Sequence, residues 1–150
     1  MENRDCFYCS KDQALESLMI EITKLNVSTL YLNKDQTHKG RCIIAFDRHV
    51  RELFQLKQEE RYYFIEDISN VAKVLDQLFH PDKINFAIYG DLVSHLHIHV
   101  VPKVKDSPEW GEAFVNSPKS KKYLSQKNYD DLIHEIKIGL KQGGILNGLT

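Results

Sequence analysis

No apolar run in these 150 residues approaches the roughly eighteen consecutive positions that a membrane span requires. Nor is the charged start Met1 to Arg4 followed by an apolar core of the secretory kind, so the expected compartment is the cytoplasm and no membrane partner is expected. Charge of one sign is lacking too: 20 Lys and Arg stand against 21 Asp and Glu, a net of −1. Without a broad positive field the chain is not expected to hold a long nucleic acid, and any bound nucleotide has to be met by a local pocket. Cysteine is scarce, three in all, an odd count in a reducing compartment, which argues against a disulfide framework. There is no internal repeat and no extended low-complexity tract. What remains is 42% hydrophobic and of a length that buries one core, so a single domain over residues 1–150 is expected.

Residues 12–23 place Leu15, Leu18, Met19 and Ile22 at helical spacing and predict a short helix. Strand-like segments follow at 28–32 and 42–46, separated by a polar stretch over 33–40, and predict an antiparallel pair. Over 57–80, Phe64, Ile65, Ile68, Val71, Leu75, Leu78 and Phe79 recur at intervals of three and four until Pro81, which predicts the longest helix. Two more strands are predicted at 84–89 and 95–101, joined by a tight connection through Gly90-Asp91 and closed by Pro102. The stretch 103–122, rich in Lys, Ser and Pro and carrying Trp110, reads as an irregular surface excursion. Asn128 is placed to cap a final helix over 128–142, with Leu132, Ile136 and Leu140 on one face. This order predicts an α+β domain whose antiparallel sheet is covered by helices on one side.

The chemistry lies in His95-Leu96-His97-Ile98-His99. Side chains two apart on a strand share a face, so three imidazoles form a row while Leu96, Ile98 and Val100 face the core. Two chemistries fit such a row. A neutral imidazole can attack phosphorus while its neighbour donates to the phosphate oxygens. Alternatively His-x-His chelates zinc, iron or copper, giving a metal-dependent hydrolase or oxygenase. No carboxylate stands at chelating spacing, since Asp91 lies on the preceding turn, and this favours the nucleophile. The lone His38, His80 and His134 read as solvated surface residues. Cys6 and Cys9, a Cys-x-x-Cys pair near the N-terminus, read as metal ligands in preference to a structural staple.

The run His95 to Val101 resembles the His-φ-His-φ-His-φ-φ signature of the histidine triad superfamily, where φ is apolar, at all seven positions. The stretch Gly40-Arg41-Cys42-Ile43-Ile44-Ala45-Phe46-Asp47-Arg48-His49-Val50 resembles the strand of that family that leads to a basic turn closing on a histidine. The likeness covers roughly residues 6–103. It implies a HIT-like fold, a five-stranded antiparallel half-barrel with a long helix and a C-terminal helix, often paired as a homodimer through the long helix and a strand. It implies a hydrolase or nucleotidyl transferase acting at the α-phosphate of nucleoside phosphoramidates or dinucleoside polyphosphates. His97 would be the nucleophile of a covalent nucleotidyl-histidine intermediate, and His99 would bind and polarise the phosphate.

The zinc-bearing branch of the superfamily implies further that Cys6, Cys9, His49 and His95 hold a structural zinc, with residues 1–10 as the N-terminal zinc-binding segment. Asn33 falls near a position that contacts ribose in relatives, and a loop-capping role suits it equally. The chain departs from the pattern at two places. Arg41 stands where many members have a histidine, and reads either as a cation assisting the phosphate or as a solvated strand residue. Leu92 stands where several members carry a hydroxyl that serves the leaving group, with Ser94 the nearest hydroxyl. These departures motivate a second reading, a nucleotide-binding sensor or adaptor with little catalysis.

Overall fold

Strict alternation along three central strands sets the architecture. In the computed structural model, which describes residues 5–107 and 109–146, strands β1 (Met19–Lys24), β2 (Ser28–Asn33), β3 (Cys42–Phe46), β4 (Lys83–Ala87) and β5 (His97–Lys103) form one antiparallel sheet of order β1-β2-β3-β5-β4. One face carries Leu30, Leu32, Cys42, Ile44, Phe46, Ile98 and Val100, packed under α3 (Gln58–Phe79) and α4 (Gln126–Gln142). Helix α3 presents Phe64, Ile68, Val71 and Leu75 to that core at intervals of three and four. Its stripe is thus a core stripe, while Tyr62 and Ile65 on the same helix stay exposed.

The opposite face bears Tyr31, Ile43 and Ala45, and by the same alternation His97, opposite Ala45, and His99, opposite Ile43. Part of this face is covered by α1 (Phe7–Ser10) and α2 (Gln13–Leu18), which bring Cys6, Tyr8 and Leu15 against it. Helices therefore lie on both faces, with the long ones on the core side. Residues 1–4 of the expected metal-binding segment lie outside the described residues.

Several boundaries differ from the sequence reading: β4 spans Lys83–Ala87 where 84–89 is expected, and β5 begins at His97, so His95 and Leu96 precede the strand expected over 95–101. The helix expected over 12–23 ends at Leu18, and its second half becomes β1. The same apolar spacing suits an edge strand with a register shift between Glu21 and Thr23, and ladder bonds to β2 win over helix for the β-branched run Ile20, Ile22 and Thr23. Pro102 lies inside β5, opposite Ile84 of β4. The ladder with β3 has already ended at Val100, so the missing N–H falls on a stretch with one neighbour. The connection between β4 and β5 is the long segment 88–96 in place of a tight turn. Helix α4 starts at Gln126, because Ser125 Oγ accepts the Asn128 N–H at 3.2 Å and takes the capping role expected of Asn128 itself.

Two close approaches fix helix positions. A Cβ at Gly139 would stand 2.6 Å from Val74 Cγ1, so α4 crosses α3 where no side chain fits. Gly40, at φ +86°, turns the chain into β3 directly against the Phe79 ring. Among the described residues no helix is long and apolar enough to cross a membrane.

Asp67 of α3 ties the core side together. Fully buried, it accepts hydrogen bonds from Asn26 N (3.1 Å), Asn26 Nδ2 (2.7 Å), Val27 N (3.1 Å) and Ser28 Oγ (2.7 Å), closing the turn between β1 and β2. Asp67→Asn turns one acceptor into a donor that faces donors, and we expect a loss of roughly 2–3 kcal/mol in urea unfolding. A loss below about 0.5 kcal/mol would show that the turn holds without it.

Candidate active site and metal centre

Three separate pieces of chain meet at the end of the sheet. Cys6 and Cys9 sit on one turn, closed by Cys9 N donating to Cys6 O at 3.0 Å. His49 follows β3 and His95 precedes β5, and Leu96 N to Val50 O at 2.7 Å draws those two segments together. The potential ligand atoms lie within 4.8 Å of one another. Cys6 Sγ is 3.4 Å from His95 Nδ1, Cys9 Sγ is 3.3 Å from His49 Nδ1 and 3.6 Å from His95 Nδ1, and the two Nδ1 atoms are 3.2 Å apart. Ligands around a tetrahedral ion with ordinary zinc bond lengths are separated by about 3.3–3.8 Å, so the donor set fits a closed four-coordinate metal. His95 Nε2–H donates to Phe46 O at 2.6 Å, which leaves Nδ1 bare toward the cluster. This is a site that can hold a metal ion, and among the described residues no other group of three or more His, Cys, Asp or Glu converges in this way.

His97 and His99 stand outside that cluster. They line a cavity of about 620 Å³, within the range of small-molecule sites, together with Tyr8, Met19, Asn33, Ile43, Tyr89 and Phe114. His97 Nδ1–H donates to His95 O at 2.6 Å, so its Nε2 carries the free lone pair. Tyr8 packs against both His95 and His97, at ring separations of 5.2 and 5.1 Å, and walls the cavity from the cysteines. The His99 ring lies 5.2 Å from that of His97. Burial pushes the His97 pKa down, and burial, the Arg41 charge and His97 together push that of His99 down to about 3.

The His99 shift has a testable sign. Its folded pKa lies below the unfolded value of 6.5, so between these two values the unfolded chain holds a proton that the folded chain does not. Stability therefore rises with pH across that window and is lost as pH falls through it. Between pH 6 and 4 the stability of a His99→Asn variant should fall less steeply than wild type, by about 1.4 kcal/mol per pH unit. Parallel slopes in urea unfolding would mean that His99 titrates at its ordinary value in the folded state.

Arg41 is not a solvated strand residue. It is 3% exposed, donates from Nη1 to Asn116 O (3.1 Å) and from Nη2 to Asn116 Oδ1 (2.7 Å), and its Nη2 lies 3.3 Å from His99 Nδ1. Asn33 lines the cavity while its Nδ2 donates to Asp35 O. Ser94, half-buried, does not line the cavity, and Leu92, 99% exposed, stands at its rim. Trp110 also lies away from it. His38, read as a surface residue, is buried with Nε2 3.0 Å from Glu109 Oε2, and so helps dock the excursion. His80 and His134 are exposed, as expected. The sequence reading missed Tyr8, Phe114 and Asn116. Tyr8 lies inside the Cys-x-x-Cys loop, a local signal that was available, whereas Phe114 and Asn116 sit in an aperiodic segment.

An α+β protein with His97 and His99 on one strand, beside a cluster of two cysteines and two histidines, is a histidine triad protein by architecture. The chain belongs to the HIT domain family, whose sequence profile matches residues 16–106. Comparison by sequence with curated proteins gives no significant match. Solved structures of similar fold include a histidine triad protein from Sinorhizobium meliloti 1021, with TM-score 0.79, 23% identity and coverage of 86% of this chain and 95% of that one. A Zn-bound histidine triad family protein from Mycobacterium smegmatis superposes with TM-score 0.67 at 18% identity, covering 93% and 96%. The diadenosine triphosphate hydrolase of Plasmodium falciparum, solved with Cyclomarin A, gives TM-score 0.57 at 17% identity, covering 81% and 76%. At these identities the likeness is one of fold.

Proposed function

We propose that the protein is a nucleotide hydrolase or nucleotidyl transferase that works through a covalent bond to His97. The observation that carries this reading is the tautomer of His97: its Nδ1–H is engaged by the His95 carbonyl, and its Nε2 lone pair belongs to a side chain that lines the cavity. His97 Nε2 attacks the α-phosphorus, a P–N bond forms, and the bond to the leaving group breaks with its electron pair. Water then attacks the same phosphorus and gives up a proton to solvent as a P–O bond forms. The P–N bond breaks with its electron pair returning to His97 Nε2, which releases the nucleoside monophosphate. Burial keeps the imidazole neutral near pH 7, as this step requires. Fold kinship with a diadenosine triphosphate hydrolase supports a nucleotide as the ligand class.

Zinc suits the Cys6, Cys9, His49 and His95 donor set, and kinship with a Zn-bound protein supports it. A closed tetrahedral ion supplies structure and no open coordination position. That cluster takes only His95 from the row, which speaks against the row as a catalytic metal site.

Leucine in place of a hydroxyl at position 92 favours leaving groups that depart as stable anions, such as nucleotide phosphates, over amines that need a proton. It also sustains the sensor or adaptor reading. Phe54, Tyr62, Ile65 and Phe86 form exposed apolar positions on the α3 side and on edge strand β4, in keeping with a homodimer, which light scattering would check. The deciding measurement is intact-protein mass after brief mixing with dinucleoside polyphosphates and nucleoside phosphoramidates. A transient mass increase of one nucleotidyl group is expected. Saturable binding with neither adduct nor cleavage would establish the sensor instead.

A further inference from the structure

We propose that Arg41 is the positioning residue of this site, joining the docked excursion after β5 to His99 and fixing the tautomer in which His99 faces the substrate. The inference rests on the nucleotidyl-transfer reading for its catalytic consequence, and on hydrogen-bond geometry alone for the tautomer.

A guanidinium has five donors and no acceptor. Where Arg41 Nη2 meets His99 Nδ1 at 3.3 Å, the imidazole nitrogen must be the acceptor, and the ring proton is left on Nε2. His97 is held the other way round, because its Nδ1 faces the His95 carbonyl, which can only accept. Two imidazoles from alternate positions of one strand thus present opposite functions at the same ring atom. His97 Nε2 offers a lone pair, and His99 Nε2–H offers a donor. An attacking nitrogen beside a donor for the phosphate oxygen is the pairing that displacement at phosphorus needs. Burial and the Arg41 charge also disfavour a second proton on His99, so the donor stays a neutral imidazole.

The other edge of the same guanidinium is spent on the excursion. Nη1 and Nη2 take the backbone carbonyl and the side-chain oxygen of Asn116, and the guanidinium lies 5.2 Å from the Phe114 ring. Phe114 in turn packs on His99, at 6.1 Å between ring centres. The excursion has independent anchors: Lys103 Nζ donates to Glu109 O and Glu112 O at 2.7 and 2.6 Å, and Lys122 N donates to Asp35 Oδ1 at 3.1 Å. It is held at both ends, and Arg41 fastens its middle to the chemistry. An ammonium cannot reproduce that fork, so lysine is not a conservative replacement here.

The test is side-chain nitrogen NMR on the intact chain as purified, which reads tautomers without any substrate. Wild type should show His99 with bare Nδ1 and protonated Nε2, and His97 with the reverse. Arg41→Lys should leave His99 a mixture of tautomers and lower kcat about a hundredfold with a smaller change in KM. Asn116→Ala keeps the carbonyl bond and the His99 contact, and should raise KM while leaving kcat within a few-fold. A protonated Nδ1 on wild-type His99, or an unchanged His99 signature in Arg41→Lys, would overturn the proposal. Should Arg41→Lys not fold, the wild-type spectrum and the KM against kcat split of Asn116→Ala decide it. A missing nucleotidyl adduct with the tautomer pattern intact would count against the reaction and leave the assignment of Arg41 standing.

Discussion

His97→Ala should abolish turnover, by about 10⁴-fold or more, while leaving the fold in place. The size follows from the role: a side chain that makes and breaks the covalent bond leaves only binding and phosphate polarisation behind when it is removed. The fold should survive because His97 contributes little that its neighbours need. It stands on the sheet face opposite the main core, and its side chain hydrogen-bonds to the His95 carbonyl. Leaving that acceptor unpaired costs roughly 1–3 kcal/mol, to which the lost packing on Tyr8 adds less. Circular dichroism should therefore be unchanged and the melting temperature lowered by several degrees only. Nucleotide affinity should stay within about tenfold of wild type, since the cavity keeps its other walls. Turnover within tenfold of wild type would remove His97 from the reaction. Loss of binding in step with loss of turnover would make it a ligand contact and not a nucleophile.

The histidine row was legible because a strand has a fixed period. Once 95–101 reads as extended, alternation alone puts three imidazoles on one face and Leu96, Ile98 and Val100 on the other, and moving the strand boundary by two residues does not alter that. The long helix was legible for the same reason. Residues 19–24 were not, because Met19 and Ile22 satisfy helical spacing and equally satisfy a bulged edge strand, and pairing with β2 decides between them. Side chains whose partners are remote escaped altogether. Nothing beside His38 in the sequence announces Glu109, and nothing beside Arg41 announces Asn116. Both partners lie in an aperiodic segment where hydrophobicity carries no phase. The conversion of Arg41 from a solvated or phosphate-facing cation into a buried bracket is therefore a tertiary fact, as is the exclusion of Ser94 from the cavity wall.

Treatment with a chelator, or replacing Cys6 and Cys9 together by serine, should lower the melting temperature by roughly 10 °C and weaken catalysis without changing its mechanism. Helix α1 is four residues long, too short to persist on its own propensity. What holds it is a small cluster around Tyr8, Leu15, Met19, Tyr31 and Ile43, together with the side chains of Cys6 and Cys9. Loss of about 3 kcal/mol at this tie corresponds to a fall of that order for a chain of 150 residues. A chelator has a route in: a second cavity of about 270 Å³ lies on the far side of Tyr8 and is lined by Cys9 and His49. Once the tie is released, Tyr8 loses its fixed place against His95 and His97, so KM should rise more than kcat falls. Cadmium or cobalt of the same tetrahedral preference should restore stability and turnover together, because a closed site offers substrate no coordination position. A turnover number that tracked the identity of the metal would bring the ion into the reaction. Less than about half an equivalent of tightly bound zinc in protein purified without chelator would sink the zinc assignment itself.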